Sequence, residues 1–139
     1  MQAYLSEIEK GEKAQKFAAF YALLCEYNKK VNLTRITDER DCAIKHFLDS
    51  LSGEKYFPQG AVCAEVGSGG GFPSLPLLIY RDDLRFTLFE SVEKKCVFLR
   101  MAVRELGLSA QVFCLRAEDA GKETRFREKF DVCCARAVA

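Results

Sequence analysis

Glu65-Val66-Gly67-Ser68-Gly69-Gly70-Gly71-Phe72-Pro73 is the stretch whose reading decides the fold. A short apolar run, residues 61–66, leads into it, and a helical pattern over residues 74–80 leads out. Glycines at alternate positions let a chain turn sharply and approach a ligand with no Cβ in the way. The helix beyond presents free backbone N–H groups to an electronegative atom. Pro76 is tolerable in that helix because it falls in the first turn.

Two cofactor chemistries use such a strand–turn–helix. Dinucleotide sites place a pyrophosphate there and want Gly-x-Gly-x-x-Gly. Counting from Gly67 the sixth position is Phe72, and from Gly69 it is Ser74 with Pro73 inside the loop. The spacing present is Glu-x-Gly-x-Gly-x-Gly, and an acid at the strand end suits a ligand with a positive ammonium. S-adenosylmethionine carries an α-amino group and a sulfonium. Glu65, Gly67 and Gly69 are therefore read as the holders of its methionyl end. A nicotinamide-dependent oxidoreductase stays open as a rival.

Working outward, residues 85–90 alternate as a strand, 91–106 are amphipathic with Gly107 as a stop, and 110–115 form a strand again. A short acidic helix-like stretch follows, then a fourth strand over 130–135. Alternation of this kind implies right-handed βαβ units and a parallel sheet. The expected class is α/β, a Rossmann-like doubly wound sheet of order 3-2-1-4. Such a sheet would leave strand 4 as an open edge, so the sequence reads as a domain whose remainder is missing. Upstream, residues 12–31 form an apolar face from Phe17, Phe20, Tyr21, Leu24, Tyr27 and Val31. A second helix runs from Asp38, a plausible N-cap, to Gly53. The division is a small helical unit, 1–55, and a cofactor-binding domain, 56–139.

Glu90 ends strand 2, where a carboxylate accepts the ribose hydroxyls of an adenosine. Arg116-Ala117-Glu118-Asp119 leaves strand 3 where a chain can meet the adenine edge.

The rest of the composition mainly excludes. Among 139 residues, 21 Lys and Arg face 20 Asp and Glu, so no electrostatic footprint of a nucleic-acid binder is present. Seven cysteines are scattered without a Cys-x-x-Cys pair, and the single histidine, His46, completes no zinc pattern. They read as reduced structural thiols, and no metal is expected. No signal peptide or long apolar run is visible, which points to a cytoplasmic protein away from membranes.

The glycine stretch, with Ser74-Leu75-Pro76-Leu77 after it, is similar to that of the small-subunit ribosomal RNA guanine-N7 methyltransferase G family (glucose-inhibited division protein B). So are Asn28-Lys29-Lys30-Val31-Asn32-Leu33-Thr34, Lys45-His46-Phe47-Leu48-Asp49-Ser50-Leu51, Ser91-Val92-Glu93-Lys94-Lys95-Cys96-Val97-Phe98-Leu99 and Ala135-Arg136-Ala137-Val138-Ala139. The resemblance covers about residues 20–139. Ser74 stands where the family usually has glycine, and the family continues beyond the Arg136-Ala137 motif.

That resemblance implies a class I S-adenosylmethionine-dependent enzyme, monomeric when complete, methylating guanine N7 in 16S rRNA of the small ribosomal subunit. It implies cofactor contacts at Gly67, Phe72, Ala117, Glu118 and Arg136, with Glu90 as the ribose acid. Asn32 and His46 fall on family motif positions in the helical unit and are expected at the substrate mouth or in docking that unit. Lys94 sits near a helix N-terminus, where the dipole disfavours a cation, and contact with an RNA phosphate would account for it. No Pro-Cys pair and no Asn/Asp-Pro-Pro-aromatic motif is present, so positioning is the expected catalytic device and no catalytic residue is assigned. A chain that binds cofactor or RNA without turnover is the other alternative.

Overall fold

The structure, a computed structural model, describes residues 11–34 and 38–135. Helix α1 (Glu12–Asn28) buries Ala14, Phe17, Phe20 and Leu24, the three- and four-residue spacing that places side chains on one helical face. It ends at Asn28 and not at residue 31. The Asn28 side-chain Oδ1 accepts the N–H groups of Leu33 and Thr34, both at 2.9 Å, and this turns the chain. The next rod opens as expected on Asp38, whose Oδ2 accepts the Asp41 N–H at 3.1 Å. It then departs from a plain α-helix. Helix α2 (Glu39–Asp41) passes into a π-helical stretch (Cys42–Leu48) before α3 (Asp49–Leu51). Gly53 has φ −100°, so it is not a left-handed stop, and a tight 3₁₀ turn over Glu54–Tyr56 follows.

Four strands then alternate with helices: β1 (Val62–Val66), α4 (Ser74–Tyr80), β2 (Arg85–Phe89), α5 (Glu93–Leu106), β3 (Ala110–Phe113), α6 (Ala117–Lys122) and β4 (Val132–Ala135). Gly107 ends α5 in the left-handed region at φ +63°. All pairings are parallel and the order is β3-β2-β1-β4, as the sequence implies. The register matches Val66 with Phe89 and Ala135, and Phe89 with Phe113. All four strand tips therefore lie level, and the loops after β1, β2 and β3 open on one edge.

One face of the sheet is covered by α4, α5 and the helical unit in a single apolar cluster running from Phe17, Phe20 and Phe47 to Leu75, Leu88, Phe98 and Leu99. Each fully buried side chain of this size stabilises the fold by about 1.5–3 kcal/mol, so the N-terminal helices are bound to the sheet by its own core. A smaller cluster on the other face joins Ala64, Phe89 and Ala120 to Phe113, Phe126 and Phe130. Arg81, just after α4, fixes the link between the two parts. Its Nη1 donates to the carbonyls of Glu54 (3.0 Å) and Phe57 (2.7 Å), while Nε donates to Asp83 Oδ1 at 3.0 Å. Among the described residues no helix is long and apolar enough to cross a membrane, and all seven cysteines are free thiols.

Candidate cofactor site

The loop after β1 takes the shape its glycines permit. Gly67, Gly69 and Gly71 have φ of +68°, +54° and +93°, where a side chain is disfavoured. Each amide is anchored: Gly67 N–H to the Phe89 carbonyl (2.9 Å), Gly71 N–H to the Ser68 carbonyl (2.7 Å), and Gly69 N–H to Glu90 Oε1 (2.8 Å). The other Glu90 oxygen accepts the Val92 N–H at 2.9 Å. The tip of β2 thus holds the turn of β1 through a carboxylate that is 5% exposed.

Above the loop lies a hollow of about 380 Å³, walled by Gly67 to Gly70, Glu90, Lys95, His46 and Leu33. Gly67 also borders a second hollow of about 260 Å³, in which Ala117 and Glu118 face Val66, Phe89 and Ser91. The strand-tip residues singled out from the sequence are therefore brought together around Gly67. Two details of the loop itself suit a ligand. A Cβ built on Gly69 would meet no protein atom nearer than the Gly67 carbonyl oxygen at 3.9 Å, so that space is available to a bound molecule. Ser68 is 3% exposed, yet its buried Oγ has no hydrogen-bond partner among the described residues. A buried hydroxyl left unsatisfied costs about 1–3 kcal/mol, which a ligand atom would recover.

Glu65 is placed differently from the reading that set it against a ligand's ammonium. It is 0% exposed, and its two oxygens accept the backbone N–H and the hydroxyl of Ser74, both at 2.7 Å. Ser74, the first residue of α4, is thus the one that the acid grips. Glu65 stands beneath the loop and fixes the start of α4.

Phe72 lies at the hollow's wall, with its ring packed on Phe20 (centroids 5.6 Å), Phe47 (6.2 Å) and, nearly parallel at 4.2 Å, the His46 imidazole. His46 comes from the π-helical stretch, and its Nε2 shares a hydrogen bond of 2.7 Å with Thr34 Oγ1. The helical unit in this way supplies one side of the site. Asn32 is exposed beside Leu33, which lines the hollow. Lys94 is exposed and does not line the hollow, whereas its neighbour Lys95 does. Arg136 lies outside the described residues.

Sequence reasoning missed Lys95, Leu33 and Ser68. The first was legible: Lys95 shares a helical stripe with the buried Phe98, Leu99 and Ala102, whereas Lys94 lies in line with exposed Val97. Among the described residues no cluster of three or more metal-ligating side chains occurs.

The family described as rRNA small subunit methyltransferase G matches residues 13–139. The chain belongs to that family. Among curated relatives named ribosomal RNA small subunit methyltransferase G, that of Pelotomaculum thermopropionicum is 49% identical over 131 residues, covering 92% of this chain and 55% of the relative. That of Exiguobacterium sibiricum is 48% identical over 128 residues, covering 90% and 54%. The chain spans about half the length of the curated relatives it matches. A crystal structure of a protein-L-isoaspartate O-methyltransferase from Plasmodium falciparum, in complex with S-adenosyl-L-homocysteine, superposes with a TM-score of 0.61 at 12% identity. The superposition covers 99% of this chain and 73% of that one. At that identity the likeness speaks for the fold, a Rossmann-like class I methyltransferase sheet.

Proposed function

We propose that the chain binds S-adenosylmethionine in the two hollows that meet at Gly67, and that it serves methylation of guanine N7 in 16S rRNA. One observation carries the reading: the buried Glu90 carboxylate faces the hollow while holding Gly69. Each carboxylate oxygen accepts more than one hydrogen bond. Glu90 therefore has lone pairs left for ribose hydroxyls after Gly69 and Val92 are served. Ala117 and Glu118 would border the adenine, the Gly69 turn would admit the methionyl end, and Arg136, which follows β4 in the sequence, would complete the cofactor contacts.

When bound, the cofactor supplies a methyl group activated by its sulfonium. Guanine N7 has an in-plane lone pair and no proton, so the protein need not provide a strong base. Its task is to bring acceptor and methyl into line at ~3–3.5 Å. The His46–Phe72 stack gives that side of the site a rigid wall, Asn32 stands at its mouth, and Lys95 places a cation where an RNA phosphate approaches.

Calorimetry with S-adenosylhomocysteine and with NAD tests the site. Binding of the former and not the latter is expected, and preference for NAD would overturn the reading. Labelled-methyl transfer to 16S rRNA then separates turnover from binding alone.

A further inference from the structure

Two thiols meet behind the tip of β2. Cys96, in the second turn's approach of α5, is fully buried and its Sγ–H donates to the Glu90 carbonyl at 3.0 Å. Cys114, the residue after β3, is exposed and its Sγ–H donates to the Ser91 carbonyl at 3.8 Å. The sheet register forces this meeting: Phe89 pairs with Phe113, and the Glu90 N–H donates to the Phe113 carbonyl at 3.1 Å. The residue that follows β3 therefore lands beside Ser91, next in the chain to the carbonyl that Cys96 binds. The two thiols thus bind consecutive carbonyls, and Cys114 sits close enough to Cys96 to oppose its ionisation. Two sulfurs on consecutive carbonyls, one of them reachable from solvent, are the components of a reversible redox pair.

We propose that Cys96 and Cys114 form a dithiol that peroxides oxidise to a disulfide, and that its closure weakens the cofactor site. Burial and the adjoining Cys114 push the Cys96 thiol up, so the exposed Cys114 meets the oxidant first. The Cys114 thiolate attacks a peroxide oxygen, the O–O bond breaks, and the leaving hydroxide takes the Cys114 proton as water. Cys96 sulfur then attacks the resulting sulfenic sulfur. The S–O bond breaks, and hydroxide leaves with the Cys96 proton as a second water. Two thiols are oxidised to one disulfide and one hydrogen peroxide is reduced to two waters. Both S–H donors are consumed, so the carbonyls of Glu90 and Ser91 lose them. Ser91 and Leu115, next to the joined residues, line the Ala117 hollow. The effect on cofactor rests on the function proposed above; the cross-link does not.

The reduced chain is treated with hydrogen peroxide, alkylated and digested with trypsin without reductant. Cleavage after Lys95, Arg100, Arg104 and Arg116 releases peptides 96–100 and 105–116. The expected product is these two joined, two hydrogens lighter than their sum and separated by dithiothreitol. It should be absent from Cys96→Ala and Cys114→Ser and unchanged in Cys133→Ser, an exposed thiol on β4. The oxidised chain should bind S-adenosylhomocysteine roughly 5–150-fold more weakly, the usual range for coupled sites, and recover on reduction. Cys114 ending as sulfinic acid with Cys96 still alkylatable would overturn the proposal, as would equal affinity in both states. A reduced chain that binds no S-adenosylhomocysteine would refute the cofactor reading instead, and the joined peptides would still decide the dithiol.

Discussion

Gly69 donates its amide to Glu90 across the gap between β1 and β2, at 2.8 Å, so the turn that would cradle a ligand is held by the residue that would grip it. Loop shape and binding carboxylate are one unit. Glu90→Ala should weaken S-adenosylhomocysteine by about 1.5–3 kcal/mol, as for hydrogen bonds to a charged group. Glu90→Gln should recover only part of this, because its NH₂ is turned either on the Gly69 or on the Val92 N–H, donor against donor. Calorimetry on the two variants checks it, and full affinity in Glu90→Ala would place the sugar elsewhere.

The glycines of the loop separate binding from folding. Gly71→Ala drives a Cβ to 2.6 Å from Leu75 Cγ and Cδ1 at φ +93°. Overpacking of about 1–3 kcal/mol adds to backbone strain of roughly 1–2 kcal/mol. This variant should lose stability in urea titrations. Gly69→Val carries the strain of φ +54° but points into open space. It should stay folded and lose cofactor binding. A Gly69→Val chain that binds normally would show the hollow to be misassigned.

The glycine turn was legible because only glycine serves a chain that takes φ of +68°, +54° and +93° within five residues. The sheet order followed from the alternation of strand and helix periods. The direction of a carboxylate does not follow from spacing. Glu65 and Glu90 both end strands, yet one is bound beneath the loop by Ser74 and the other faces the hollow. The end of α1 was missed for a similar reason, since Asn28 competes through its side chain for the amides of Leu33 and Thr34. The π-helical register around His46 has no periodic signature separable from that of an α-helix.

Lys95 and Lys94 differ by one position and about a quarter-turn of helix. If Lys95 meets an RNA phosphate, Lys95→Ala should weaken binding of 16S rRNA fragments and lower the log–log salt slope by about 0.7–0.9. Lys94→Ala should change the slope less. Filter binding across a salt series measures both, and the reverse ranking would restore the lysine favoured by the sequence alone.

Ser74 gives Glu65 both a backbone and a side-chain donor. Ser74→Ala removes the hydroxyl and leaves a buried carboxylate oxygen short of it, a loss of about 1–3 kcal/mol. Urea denaturation at neutral pH should register that loss, with the β1–α4 junction as its site. Stability equal to the parent chain would mean that the hydroxyl is replaceable there.

Asp83 carries a pH dependence whose sign can be worked out. The Arg81 side-chain hydrogen bonds, and after them the Gly60 N–H at 2.8 Å, hold its carboxyl well below the ordinary value of 3.8. Between the folded and unfolded values the unfolded chain binds the proton and the folded chain does not, so acid favours unfolding. The stabilisation is complete above the unfolded value and disappears as pH falls through the folded one. Arg81 also holds the carbonyls of Glu54 and Phe57, so the loss should loosen the link between helices and sheet. Asp83→Asn should therefore be less stable than the parent at pH 7 and draw level with it only in strong acid. Denaturant midpoints for both chains from neutral pH to below pH 3 follow the difference. A gap that stays constant with pH would mean that the variant acts through packing and not through the charge of Asp83.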